Sequence, residues 1–158
     1  METTFISINE KYFIGQHMTM SLAVNRTGEL WRGFMPRRRE ISNPVSNEMY
    51  SLQVYPPNYF YPFNPTTEFE KWALIEVNNF ENIPSGMEKF VLPQGDYAVF
   101  QYKGDATNAA ATFQYIFNTW LPASGYQLDH RPHFEILGEK YKNNDPDSEE
   151  EIWIPIKS

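Results

Sequence analysis

The sequence predicts an α+β domain. Its expected plan is a duplicated strand–helix–strand–strand unit with a mainly antiparallel sheet, two helices on one face and a central cleft between pseudo-symmetric halves. Three observations carry this. Segments of like composition recur in the same order at offsets of 81 to 86 residues. Tyr12-Phe13-Ile14 matches Tyr97-Ala98-Val99. Trp31, Phe34 and Pro36 match Phe117, Trp120 and Pro122. Met49-Tyr50-Ser51-Leu52 matches His133-Phe134-Glu135-Ile136, and Glu70-Lys71-Trp72-Ala73 matches Glu151-Ile152-Trp153-Ile154. Each half then reads as strand, helix, strand, strand. Finally, 12 Pro against 8 Gly favour stiff turns and short elements over long helices. One domain is expected over residues 1–158, with repeats at roughly 8–80 and 86–157. A chain of this size buries about 70% of its unfolded surface, so it needs no disulfide or metal to fold.

In the first half the expected elements are a strand over Lys11–Met20, a helix over 28–35, and strands over 49–55 and Phe69–Val77. A further strand is expected at 87–92. The second half gives a strand at 96–102, a helix at 107–121, and strands at His133–Leu137 and 151–156. The second helix carries the stronger signals. Asp105 and Thr107 are N-cap candidates, Ala109, Ala110 and Ala111 favour helix, and Pro122 should stop it. Phe113, Ile116, Phe117, Trp120 and Leu121 form one apolar stripe at helical spacing. The Pro- and aromatic-rich stretch 55–65 reads as a loop, because matching strands flank it.

Strand parity nominates the side chains that face a pocket. Ile152, Ile154 and Ile156 form an apolar row suited to lie under the helices. Phe134 and Ile136 read as the matching row of their strand, which places Glu135 opposite. On that reading Glu135, Trp153, Trp72 and Tyr55 share the sheet face away from the helices. Two Trp and a Tyr are costly to leave in water, which favours a cleft over a solvated face. Phe34 and Trp120 fall either at its rim or in the core stripes of their helices. A carboxylate in an aromatic box recognises an organic cation by charge and by cation–π contact, about 0.5–2 kcal/mol per ring. The bland alternative for Glu135 is an ion pair with Arg131 or a lysine.

Composition excludes several classes. Absence of Cys removes disulfide scaffolds, thiolate catalysis and Cys-ligated zinc, and suits a reducing cytoplasm. No 18-residue apolar run spans a membrane, and residues 1–7 lack signal-peptide character. A net charge of −7 disfavours nucleic acid as a partner and favours cationic or neutral ligands. No metal site is expected: Pro132 breaks helical spacing between His130 and His133, His17 stands alone, and residues 143–149 lack the pattern of a calcium loop. Arg37, Arg38 and Arg39 complement a helix C-terminus.

Several motifs now become specific. Residues 120–126, His133-Phe134-Glu135-Ile136, Asp145-Pro146-Asp147-Ser148-Glu149 and Ile152-Trp153-Ile154-Pro155-Ile156 resemble the C-terminal half of the GyrI-like effector-binding family, the ligand domain of some AraC-type and MerR-type regulators. Phe90 to Gly104 fits as well, so the resemblance covers roughly the last 70 residues. The first half matches through its duplicated architecture. The resemblance implies two strand–helix–strand–strand units around a pocket. It also implies a pocket carboxylate in the Phe134-Glu135 step, and ligands that are hydrophobic and often cationic.

The leading expectation is a stand-alone binder of such ligands, acting as a sensor or sequestering module without a DNA-binding domain, since ten residues before Lys11 cannot form a helix-turn-helix. The expected ligand contacts are Glu135, Trp72, Trp153, Tyr55, Phe34 and Trp120, with no cofactor. A second class is a hydrolase of electrophilic, cyclopropane-type molecules, with Glu135 as general acid or base. A third is a module that inhibits a protein partner.

Overall fold

The computed structural model describes residues 2–104, 106–138 and 147–158. The strands are β1 (Thr3–Ile8), β2 (Lys11–Met20), β3 (Met49–Val54), β4 (Phe69–Val77), β5 (Glu88–Leu92), β6 (Gly95–Lys103), β7 (Gln127–Leu128), β8 (His133–Leu137) and β9 (Glu149–Lys157). Helix α1 spans Thr27–Phe34, and α2 spans Ala106–Tyr115. A π turn over Ile116–Trp120 continues α2 into the short α3, Leu121–Ser124. All nine strands form one sheet, ordered β1-β6-β9-β8-β3-β4-β2-β5, with β7 beside β9 and every pairing antiparallel. The α+β class with an antiparallel sheet and two helical segments is therefore as expected.

Two strands differ from expectation. β1 lies before the first expected strand and pairs with β6, far along the chain, rather than with its neighbour β2. The two-residue β7 is too short for any periodic signal. Pro122 does not stop the second helix. It sits in the first turn of α3, where a missing N–H breaks no bond. The stop is Gly125, whose φ of +82° is the left-handed closure that glycine adopts freely. The N-cap candidates Asp105 and Thr107 lie outside the residues described in that detail. Gly15 is a packing requirement: a Cβ there would lie 1.8 Å from the Ala73 carbonyl oxygen of β4.

Register sorts the side chains onto two faces, because residues directly opposite in a ladder share a side. One face carries Phe134, Trp153, Leu52, Leu74, Tyr97 and Val99 in a single buried cluster built from strands alone. Ile8 of β1 and Leu92 of β5 belong to it too, so the sheet curls until its two outer strands share one core. The other face carries both helical segments. Leu30 and Phe34 of α1 cover Ile14, Ala73, Ile75 and Val77. Ile116 of the π turn covers Ala98, Phe100, Ile152, Ile154 and Ile156. The Ile152–Ile154–Ile156 row thus lies under a helix as expected.

Candidate functional site

Strands β3 and β8 form the middle of the sheet, and on the helix-bearing face they carry the polar pairs Ser51–Glu135 and Gln53–His133 beside the apolar pair Met49–Leu137. Glu135 pairs with Ser51 on one side and Ile152 on the other. Gln53 pairs with His133, and Lys71 of β4 lies opposite Gln53. Ser51, Gln53, Lys71 and His133 are all buried. Four buried polar groups on one strip are costly unless they satisfy one another or a ligand.

Glu135 is the centre of the strip. Gln53 Nε2 donates to its Oε1 at 3.2 Å. Lys71 Nζ lies 4.0 Å from the same oxygen, with 9% of the Lys71 side chain and 14% of Glu135 exposed. At that distance the pair is ionic without a direct hydrogen bond. Burial pushes the Glu135 carboxyl up from the usual carboxylate range, opposed by Lys71 and Gln53. Burial likewise lowers the Lys71 ammonium, opposed by Glu135 and Glu150. Glu150, two residues before Ile152 and on the same face, is pushed up to about 7 by burial and by the neighbouring Glu135, with Lys71 opposing. Burial drives His133 down to about 3, helped by Arg131 and His130, so its imidazole is neutral at neutral pH.

The aromatic side chains come from the loop between β3 and β4. Tyr55 meets His133 edge-on at 4.9 Å and Tyr59 at 4.4 Å. Its hydroxyl is held protonated by burial and by the charge of Glu135. Phe60 stacks on Phe117 at 4.6 Å and tilts over His133 at 5.4 Å. The Pro-rich loop is therefore a wall joining the β3–β4 connection to the helix above β6 and β9.

Of the expected contacts, the structure brings Tyr55 to Glu135. Trp72 and Trp153 lie on the opposite face. Trp153 pairs with Phe134 and stacks on it at 5.1 Å, while Trp72 stacks on His17 at 4.2 Å. The parity reading failed because β8 is buried on both faces, so Phe134 and Ile136 mark the strand-only core instead of the helix side. Phe34 is fully buried in the α1 stripe. Trp120 is half-buried, edge-on to Phe100 at 4.9 Å. The ion pair named as the alternative for Glu135 exists, with Lys71; Arg131 instead holds Asp129 at 2.7 Å. Sequence reasoning missed Lys71, Gln53, His133, Glu150, Tyr59, Phe60 and Phe117 as site members. Lys71 carried a signal: it shares the parity of Phe69, Ala73 and Ile75, an inward position for a cation.

A family model described as the GyrI-like small-molecule binding domain matches residues 1–157. The chain belongs to this family. The GyrI-like chain is 31% identical over 145 residues to the transcriptional regulator BrlR of Pseudomonas aeruginosa, covering 90% of this chain. It spans about half of BrlR, 51%. Among solved structures, SAV2435 bound to tetraphenylphosphonium superposes with a TM-score of 0.69 at 15% identity, covering 100% of this chain and 95% of that one. A hydrolase encoded by lin2189 from Listeria innocua gives 0.62 at 11% identity, covering 99% and 92%. At these identities the two structures establish that the GyrI-like fold is shared. Among the described residues no group of His, Asp and Glu could hold a metal ion, and no helix is long and apolar enough to cross a membrane.

Proposed function

We propose that this GyrI-like domain binds hydrophobic organic cations in a central cleft between two pseudo-symmetric halves. Glu135 is the charge partner, and Tyr55, Tyr59, Phe60 and Phe117 are the aromatic wall. The observation that carries the reading is a buried carboxylate near stacked rings whose cationic partner among the described residues, Lys71, is too distant for a hydrogen bond. Such a carboxylate gains most from a ligand that brings charge without needing its own hydration shell, as a bulky organic cation does. The cation named with SAV2435 is of that kind.

The duplicated architecture has support in the strand order. Counting outward from the central β8–β3 pair, β9 answers β4, β6 answers β2, and β1 answers β5. The helices then flank the central polar strip, one over each half. A regulatory role, in which occupancy of the cleft is sensed, is supported by the relationship to BrlR.

Glu135→Gln tests the reading, being nearly isosteric and free of charge. Titration calorimetry with tetraphenylphosphonium and with triphenylphosphine oxide, a neutral molecule bearing similar rings, should show the cation losing at least tenfold in affinity and the neutral ligand changing little. Equal loss for both, or none for either, rejects a cation site. A second reading, hydrolysis, is favoured by Glu150: a half-buried carboxyl pushed up to about 7 near a second carboxyl is suited to acid–base work. Under it Glu150→Gln would bind a strained electrophile and fail to open it.

A further inference from the structure

We propose that Lys71 is the resident cation of this site: an arriving organic cation takes its place beside Glu135, and the lysine moves to Glu150. The proposal rests on the cation-binding reading above and adds the step by which a ligand gains entry.

The geometry has three parts. Lys71 enters from β4, two strands from the β8 position of Glu135, and reaches it across Gln53. The contact is loose, 4.0 Å without a hydrogen bond, while Gln53 holds the same oxygen at 3.2 Å. A flexible ammonium with three donors and one distant partner is more easily displaced than a forked guanidinium. Furthermore, among the described residues the strip holds two carboxylates for one lysine. Glu150 lies on the same face of β9, and both Glu135 and Lys71 act on it electrostatically. Its neighbours are Glu135 from β8, Lys71 from β4, and Tyr102 at the facing position of β6. Lys71 therefore has a second anionic partner when displaced.

Charge balance then links binding to a proton. With Lys71 at Glu135, the second carboxyl is surplus negative charge in a half-buried place, and desolvation and the Glu135 charge favour its protonated form. When an organic cation neutralises Glu135 and Lys71 turns to Glu150, that carboxyl ionises and its proton passes to solvent. The site stays near neutral before and after, and cation affinity rises as pH rises through neutrality. Lys71 also sets selectivity: a neutral ligand, unable to replace the ammonium, leaves the Lys71–Glu135 pair intact.

The test uses tetraphenylphosphonium and the whole chain. Calorimetry at pH 7 in buffers of different ionisation enthalpy counts protons released by the unaltered protein; about half a proton per cation is expected for a group titrating near that pH. Glu150→Gln should at least halve the count. Lys71→Met, measured at pH 8.5 to favour the ionised carboxylates, should bind the cation about tenfold tighter. Two results overturn the resident-cation idea while leaving the cation site standing: Lys71→Met binding no tighter although Glu135→Gln weakens binding, or Glu150→Gln releasing as many protons as the parent. Should Glu135→Gln bind the cation as tightly as the parent, the underlying reading falls and this one with it. The proton count needs no change at Lys71, so the idea remains testable if Lys71→Met does not fold.

Discussion

Ser51 and Glu135 stand directly opposite each other across the β3–β8 ladder. They are also the two positions that the internal repeat expected from the sequence would equate. The flanking pairs obey the same rule: Met49 opposes Leu137 and Gln53 opposes His133, while the repeat matches Met49 to His133 and Gln53 to Leu137. A two-fold axis through the sheet between Ser51 and Glu135 satisfies all three pairs at once. On the proposed duplication, Glu135, the proposed charge partner, sits at the axis and its counterpart is the small hydroxyl of Ser51.

That pairing makes Ser51→Asp a sensitive probe. Directly opposed Cβ atoms lie about 4.5–5.5 Å apart, so the variant places two carboxylates side by side in a buried strip. Like charge and burial both raise the folded-state pKa of the new Asp. A raised carboxyl pKa means that stability falls as pH rises above the unfolded value near 4. Urea unfolding should show a loss of about 1–3 kcal/mol at pH 8 that largely disappears at pH 4.5. The isosteric, uncharged Ser51→Asn should lack this pH dependence. A pH-independent loss for Ser51→Asp would mean that bulk, not charge, is resisted at the centre of the strip.

Much of the fold was legible because its strands are short, alternating and bounded by turn residues. The expected bounds of β2, β4 and β8 agree with those observed. β1 escaped because its partner β6 is remote in sequence and its outer side is solvated, leaving only Ile8 buried. Glu135 stood out from its motif as the candidate charge partner, but its face was not legible. Alternation assigns a strand to two sides without saying which side carries the helices, and β8 has buried residues on both. Lys71 illustrates the other limit: an inward charged residue in an apolar row signals a partner, yet that partner is brought two strands away only by the register of β4, β3 and β8.

Ile154 and Phe117 should separate core from wall. Ile154 is 1% exposed in the cluster under Ile116, so Ile154→Ala should cost about 2–5 kcal/mol in chemical unfolding. Phe117 is half-buried, packs against the edge of that cluster and stacks on Phe60. Phe117→Ala should cost less, about 1–2 kcal/mol. It should also weaken tetraphenylphosphonium and its neutral analogue alike, because the wall contributes contact to both. If Phe117→Ala destabilised the fold as much as Ile154→Ala and left both ligands unaffected, Phe117 would be a core residue and not part of the wall.

His17 offers a pH-dependent contact remote from Glu135, on the other face of the sheet. Its ring stacks on Trp72 at 4.2 Å, with Nδ1 toward Glu70 of β4 and Nε2 toward Glu88, the first residue of β5. Thr19 Oγ1 holds the other Glu70 oxygen at 2.9 Å. Burial opposes the imidazolium, but hydrogen bonds and charge from the two carboxylates outweigh it, and the His17 pKa is raised above 6.5. A raised histidine pKa stabilises the fold fully below the unfolded value and loses that contribution as pH rises through the folded one. The parent should therefore exceed His17→Gln in urea midpoint at pH 5.5, with the gap closing by pH 9. Because the contact ties the start of β5 to β4 across β2, the amide-exchange protection factors at residues 88–90 should fall over the same pH range in the parent and remain flat in the variant. A midpoint gap unchanged from pH 5.5 to 9 would show that His17 acts through its stacking on Trp72 and not through its charge.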